Sequence, residues 1–175
     1  RGASEGSALD VARQRNCQMQ KHGVRDVTEH MRMLRIPDSA LARAGHEVVG
    51  VDVDPVLIAA AEQDHPGPRW LVGDLAELDL PARGITEGFD AIVCAGNVMP
   101  FLAPSTRVTV LERFRRHLRP GGRIAVGFGA GREYDFDEFL ADAERAGLDA
   151  GVLLESWDLR PFTHASEFLV AILTP

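Results

Sequence analysis

His46 to Asp74 reads HEVVGVDVDPVLIAAAEQDHPGPRWLVGD, and this stretch decides the fold. His46 to Asp52 is a short run rich in Val and Gly that ends in an acid, the pattern of a buried strand. Asp54-Pro55 then opens a helix, with Asp54 as N-cap and Pro55 at the first helical position, where its missing N–H costs nothing. Val56 to Gln63 continues the helix, Pro66-Gly67-Pro68 stops it, and Arg69 to Gly73 is the next strand. Two short strands joined by a helix make one unit of a parallel sheet, because parallel strands need a crossover connection.

The same alternation continues outward. Phe89 to Ala95 (FDAIVCA) is another strand, apolar enough to be buried on both faces. Ser105 to Leu118 carries Val108, Leu111, Phe114 and Leu118 at helical spacing, and Arg119-Pro120-Gly121-Gly122 ends that helix. Arg123 to Phe128 is a strand, and Phe136 to Ala146 a helix closed by Gly147. Gly151 to Asp158 and Glu167 to Leu173 are then strands with no helix between them. The intervening Leu159 to Ser166 is too short for a parallel crossover, so this last pair is expected to be antiparallel.

Composition narrows the function. At 175 residues, 45% of them hydrophobic and 26% charged, the chain is expected to form one soluble α/β domain, with residues 1–38 an atypical N-terminal segment and 39–175 the recognisable core. Its net charge of −7 disfavours nucleic acid and acidic lipid, which need clustered Lys and Arg, and points to a small-molecule partner. Residues 1–45 nevertheless hold eight Lys/Arg against five Asp/Glu, unlike the acidic remainder. Cys17 and Cys94 are too few for a disulfide framework, and Cys94 sits in an apolar run. No apolar stretch is long enough to span a bilayer, and the first residues lack a signal-peptide core, so the cytoplasm is the expected compartment. The six histidines show no metal-ligand spacing, so no metal site is expected. Composition leaves the oligomeric state open.

Three places carry the chemistry, and a further acid beside them is structural. Asp52, at the carboxyl end of its strand, is placed to accept hydrogen bonds from both ribose hydroxyls of a nucleoside cofactor; capping a turn is the competing role. Asp54, before a proline, reads as a structural cap. Asp74, one strand on, can accept from an exocyclic adenine amino group while the next backbone N–H donates to the ring. Gly96-Asn97-Val98-Met99-Pro100-Phe101 follows the next strand at the edge where open parallel sheets bind ligands. Asn97 offers a donor and an acceptor, with Met99 and Phe101 as an apolar wall on the substrate side; alternatively, Asn97 supports a turn and both apolar residues fill core.

GHEVVGVDVDPVLIAAA, WLVGDLAEL, FDAIVCAGNVMPFL and HLRPGGRIAVGF resemble successive motifs of class I S-adenosylmethionine-dependent methyltransferases, and the terminal EFLVAIL resembles that family's reversed last strand. The resemblance spans about residues 40–175. It implies a Rossmann-like three-layer sandwich whose seven-stranded, mostly parallel sheet has one antiparallel strand near its edge. It also implies S-adenosylmethionine as cofactor, with Asp52 and Val53 at the ribose, Asp74 and Leu75 at the adenine, and Ala95, Gly96 and Asn97 beside the methionine part. No catalytic residue follows from it.

The family's glycine-rich first motif is not recognisable. Leu9-Asp10-Val11-Ala12 resembles its opening and Asp38 to His46 the end of the following helix, but residues 13–37 between them hold only Gly23. Residues 10–38 are a true insertion, a degenerate cofactor loop or a sequence error. Methyl transfer to a small-molecule acceptor is the expected function. A catalytically inactive module of the same fold is the alternative, ahead of a nicotinamide-dependent oxidoreductase, which would need a G-x-G-x-x-G turn.

Overall fold

A computed structural model of the chain describes residues 38–175. The chain divides into two compact units, the first ending at Asp74 and the second running Leu75–Pro175. Leu9 to Ala12, Cys17 and most of the atypical segment lie outside the described residues.

In the first unit, helix α1 (Asp38–Arg43) leads through Gly45, at φ +91°, to strand β1 (Val49–Asp52). Helix α2 (Pro55–Asp64) follows, capped as expected by the Asp54 carboxylate, which accepts from the Val56 N–H at 2.9 Å. Strand β2 (Arg69–Val72) pairs in parallel with β1, Val49 opposite Arg69 and Asp52 opposite Val72. This is the expected βαβ unit, with shorter strands. Gly50 is required in β1 because the Trp70 ring lies against it; an added Cβ would stand 2.2 Å from that ring. The strands are half-buried rather than buried, and α2 encloses only Ile58.

The second unit is a four-stranded sheet in the order β3-β4-β6-β5, formed by β3 (Phe89–Cys94), β4 (Leu118–Gly129), β5 (Asp149–Leu154) and β6 (Phe168–Thr174). β3 and β4 are parallel, whereas β6 runs antiparallel to both β4 and β5. The expected reversal is therefore present. Between β3 and β4 come the one-turn helix α3 (Val98–Phe101) and α4 (Arg107–Arg116), and between β4 and β5 comes α5 (Phe136–Arg145). Gly147, at φ +74°, ends α5 as expected.

The core lies between this sheet and helices α4 and α5. Ile124, Val126 and Phe128 of β4 stand directly opposite Leu173, Ala171 and Leu169 of β6, and all six belong to one buried cluster with Val110, Leu111, Phe114, Phe139 and Ala143. Phe128 packs edge-on against Phe136 and Phe139 and stacks with Tyr134.

Six strands are present among the described residues, in a pair and a four. Three other expectations need correction. The strand Phe89–Cys94 is not covered on both faces among the described residues: Ile92 and Cys94 face the core, whereas Ala91 and Val93, the latter 46% exposed, face away from it. In α4 the buried face holds Val110 beside Leu111 and Phe114, and Leu118 already belongs to β4. The helix already ends at Arg116, capped by His117, so Arg119-Pro120-Gly121-Gly122 is not its stop: the chain pairs Leu118 with Phe89 before this turn and Arg123 with Ala91 after it, and the turn is an outpocketing within β4.

Candidate functional site

In the first unit the acids at the end of β1 have distinct local work. Asp52 Oδ1 accepts from the Asp54 N–H at 2.8 Å, and Asp54 Oδ1 accepts from the Val56 N–H, so the chain leaves the strand through two successive side-chain-to-backbone bonds. The Asp52 carbonyl accepts from the Gly73 N–H at 2.9 Å, tying the ends of β1 and β2 together. Asp52 Oδ2 engages no partner among the described residues. One oxygen of Asp52 thus shapes the turn, the competing role, and the other is left over. Val53 is 68% exposed, and Asp74, just beyond β2, is exposed.

In the second unit, β3 leaves through Ala95, Gly96 and Asn97. Gly96 (φ +78°) and Asn97 (φ +62°) are both left-handed, a conformation that Gly adopts freely and Asn tolerates better than most residues. An added Cβ on Gly96 would meet nothing within 4 Å among the described residues. Asn97 is buried, and its Oδ1 accepts from the Gly129 N–H at 2.8 Å, pinning the exit of β3 to the end of β4. Its carbonyl oxygen is therefore spent on the fold. Leu75 is half-buried against the core.

The apolar wall divides. Met99 has no exposed surface and belongs to the core, because α3 turns it inward. Phe101 is 59% exposed, with the Arg132 guanidinium 5.5 Å from its ring centroid.

Sequence reasoning missed a buried polar cluster behind this edge. Arg107, at the start of α4, is buried with its guanidinium 3.9 Å from the Tyr134 ring centroid; it donates to Glu138 Oε1 at 3.0 Å and to the Glu133 carbonyl. Tyr134 donates its hydroxyl to Asp142 Oδ2 at 2.7 Å, and Asp142 also pairs with Arg145. Burial, and next the Asp142 carboxylate, push the Tyr134 phenol above its ordinary range. Only Asp142 and Arg145 stand at helical spacing, three apart, and Arg107 is separated from Glu133 by 26 positions, so the cluster leaves no continuous mark in the sequence. Burial likewise pushes the Cys94 thiol up to about 12, which makes it a small hydrophobe rather than a nucleophile. Among the described residues no three His, Cys, Asp or Glu side chains gather to hold a metal ion, and no helix is long and apolar enough to cross a membrane.

Comparison with known proteins gives a consistent result. A family profile described as a methyltransferase domain matches residues 36–122. A TehB-like SAM-dependent methyltransferase from Corynebacterium glutamicum is 50% identical, with a TM-score of 0.73 over 80% of this chain and 73% of that one. The CcbJ methyltransferase of Streptomyces caelestis is 17% identical, with a TM-score of 0.66 over 76% of each chain. The glycopeptide N-methyltransferase MtfA, in complex with S-adenosyl-L-methionine, is 12% identical, with a TM-score of 0.61 over 78% of this chain and 80% of that one. The last two likenesses bear on the fold alone, which is Rossmann-like with a mixed sheet. No curated protein sequence matches.

Proposed function

Because the chain belongs to the S-adenosylmethionine-dependent methyltransferases, with S-adenosylmethionine as cofactor, we propose that it transfers the methyl group to a small-molecule acceptor in the cytoplasm. The observation that carries this reading is the Asp52 carboxylate, with one oxygen fixed by the turn and the other unengaged among the described residues. That is what an acceptor of ribose hydroxyls requires. The absence of any described residue over Gly96 is consistent with room for the same cofactor.

Asp52 and Val53 would hold the ribose, Asp74 and Leu75 the adenine, and Ala95, Gly96 and Asn97 the methionine part. Since Asn97 Oδ1 is engaged by Gly129, its contribution would come from the amide nitrogen and from the backbone it fixes. When bound, the cofactor supplies a sulfonium methyl that is already electrophilic. The chain's own task is then alignment of the acceptor and exclusion of water, and no catalytic triad is required. The seven-stranded sheet stays part of this proposal.

Calorimetry with S-adenosylhomocysteine and NAD tests the reading directly. Binding of S-adenosylhomocysteine alone supports it. Binding of NAD alone would point to an oxidoreductase. Binding of neither by the parent chain would favour a module that keeps the fold without the cofactor, as the unrecognisable glycine-rich motif suggests.

A further inference from the structure

Three arginines of the second unit are not exposed: Arg107, Arg113 and Arg132. In all three, Nε is enclosed without an acceptor, so they differ in their terminal nitrogens. Arg107 gives its own to Glu138 and to the Glu133 carbonyl, and Arg113 donates Nη1 to the Leu78 carbonyl at 2.8 Å. Arg132 has no carboxylate or carbonyl partner among the described residues, and its terminal nitrogens are not enclosed. Neither neighbouring acid, Glu133 or Asp135, pairs with it.

The backbone that carries this guanidinium is held on both sides, and its Nε is enclosed. It lies in the loop after β4, whose root is fixed by Gly129 to Asn97 and by the Ala130 N–H to the Glu167 carbonyl at 2.8 Å. On its other side, the Glu133 carbonyl is gripped by Arg107 and Tyr134 is fully buried. Beneath it lies the exposed ring of Phe101. A cation rooted in a fixed loop, with terminal donors unspent, beside an exposed aromatic ring is a recognition pair. A weakly hydrated, planar guanidinium matches a carboxylate, and the ring matches an apolar body. The net charge of −7 repels a small anion at long range, so a fixed local cation is what its capture needs.

Building on the methyltransferase reading, we propose that the methyl acceptor is an organic acid, its carboxylate on Arg132 and its apolar part against Phe101. Arg132 is then a specificity residue and takes no part in the transfer itself.

The test uses the full chain with S-adenosylhomocysteine. Benzoate, phenylacetate and isovalerate are each compared with their own primary amide by ligand-observed NMR titration. At least one acid should bind about tenfold or more tightly than its amide. Arg132→Gln should abolish that preference while leaving S-adenosylhomocysteine affinity and the thermal midpoint unchanged; Phe101→Ala should weaken acid and amide alike. Equal binding of acid and amide, a preference that survives Arg132→Gln, or failure of every acid to bind would overturn the proposal. If the parent does not bind S-adenosylhomocysteine, the methyltransferase reading fails and the acid is no acceptor. The acid-versus-amide titration without it still decides whether Arg132 recognises an organic acid.

Discussion

The two units are built by different means. The first has one buried apolar side chain among its described residues, Ile58, and leaves Val53, Val56, Leu57 and Val72 between 43% and 68% exposed. Its shape comes from a backbone ladder, a capped helix and the acid-mediated turn at Asp52. The second has a cluster of sixteen buried residues and a buried polar network behind it. Where packing is dense, a side chain is committed to the fold, as Met99 is. Where local hydrogen bonds do the shaping, a carboxylate such as Asp52 can serve the fold with one oxygen and a ligand with the other.

The contrast can be broken at its strongest point. Phe128→Ala should cost about 3–5 kcal/mol of stability, since it empties the centre of an aromatic cluster, while Ile58→Ala should lie near the low end of its class, about 2 kcal/mol. Equal losses in denaturant titrations would show that the first unit has as much core as the second.

Next in size is the site itself. Asp52→Ala should weaken S-adenosylhomocysteine binding by about ten- to hundredfold, because charge-assisted bonds to hydroxyls are lost. It also deprives the Asp54 N–H of its acceptor, so Asp52→Asn, which can keep that bond, separates the two roles. The Asn variant should match the parent in stability and still bind more weakly in calorimetry. If it binds as tightly as the parent, Asp52 is a turn residue only.

Tyr134 sharpens the other side of the comparison. It is the only tyrosine in the chain, so tyrosinate absorbance reports it alone. Its folded pKa is raised, so the stability it contributes is complete below the ordinary phenol value of about 10 and is lost as pH rises through the folded value. The absorbance should therefore not change near that ordinary value while the protein is folded. A reversible titration there in the native state would mean that the phenol is not enclosed. Tyr134→Phe, which leaves Asp142 Oδ2 without its donor, should cost about 1–3 kcal/mol.

The smallest effect belongs to Asp54. Asp54→Ala removes a helix cap and should cost about 1 kcal/mol, with cofactor affinity unchanged. An affinity loss equal to that of Asp52→Ala would erase the distinction between the two acids.

What was legible in the sequence was local. The cap at Asp54-Pro55, the acid ending β1, the Gly-Asn turn and the reversed last strand all leave marks within a few residues. The direction of Met99 was not legible, because a single turn of helix decides which of Val98, Met99 and Phe101 points inward. The two-sided burial expected of FDAIVCA was not met among the described residues, because apolar content does not say whether a layer packs on each face of the sheet. The Arg107, Tyr134 and Asp142 cluster was invisible for a similar reason: its members meet only once α4, the loop after β4 and α5 have packed. Part of the reading, the opening of the first motif, falls outside the described residues.

The chain has two tryptophans, one in each unit, and each lies against a strand glycine: Trp70 on Gly50 of β1, Trp157 on Gly127 of β4. Each indole is thereby clamped to the backbone of its own unit, and its emission follows the integrity of that strand. With Trp157→Phe the remaining fluorescence reports β1 alone, and with Trp70→Phe it reports β4 alone. The molecule thus carries two separate optical probes of whether β1 and β4 come apart together or in turn.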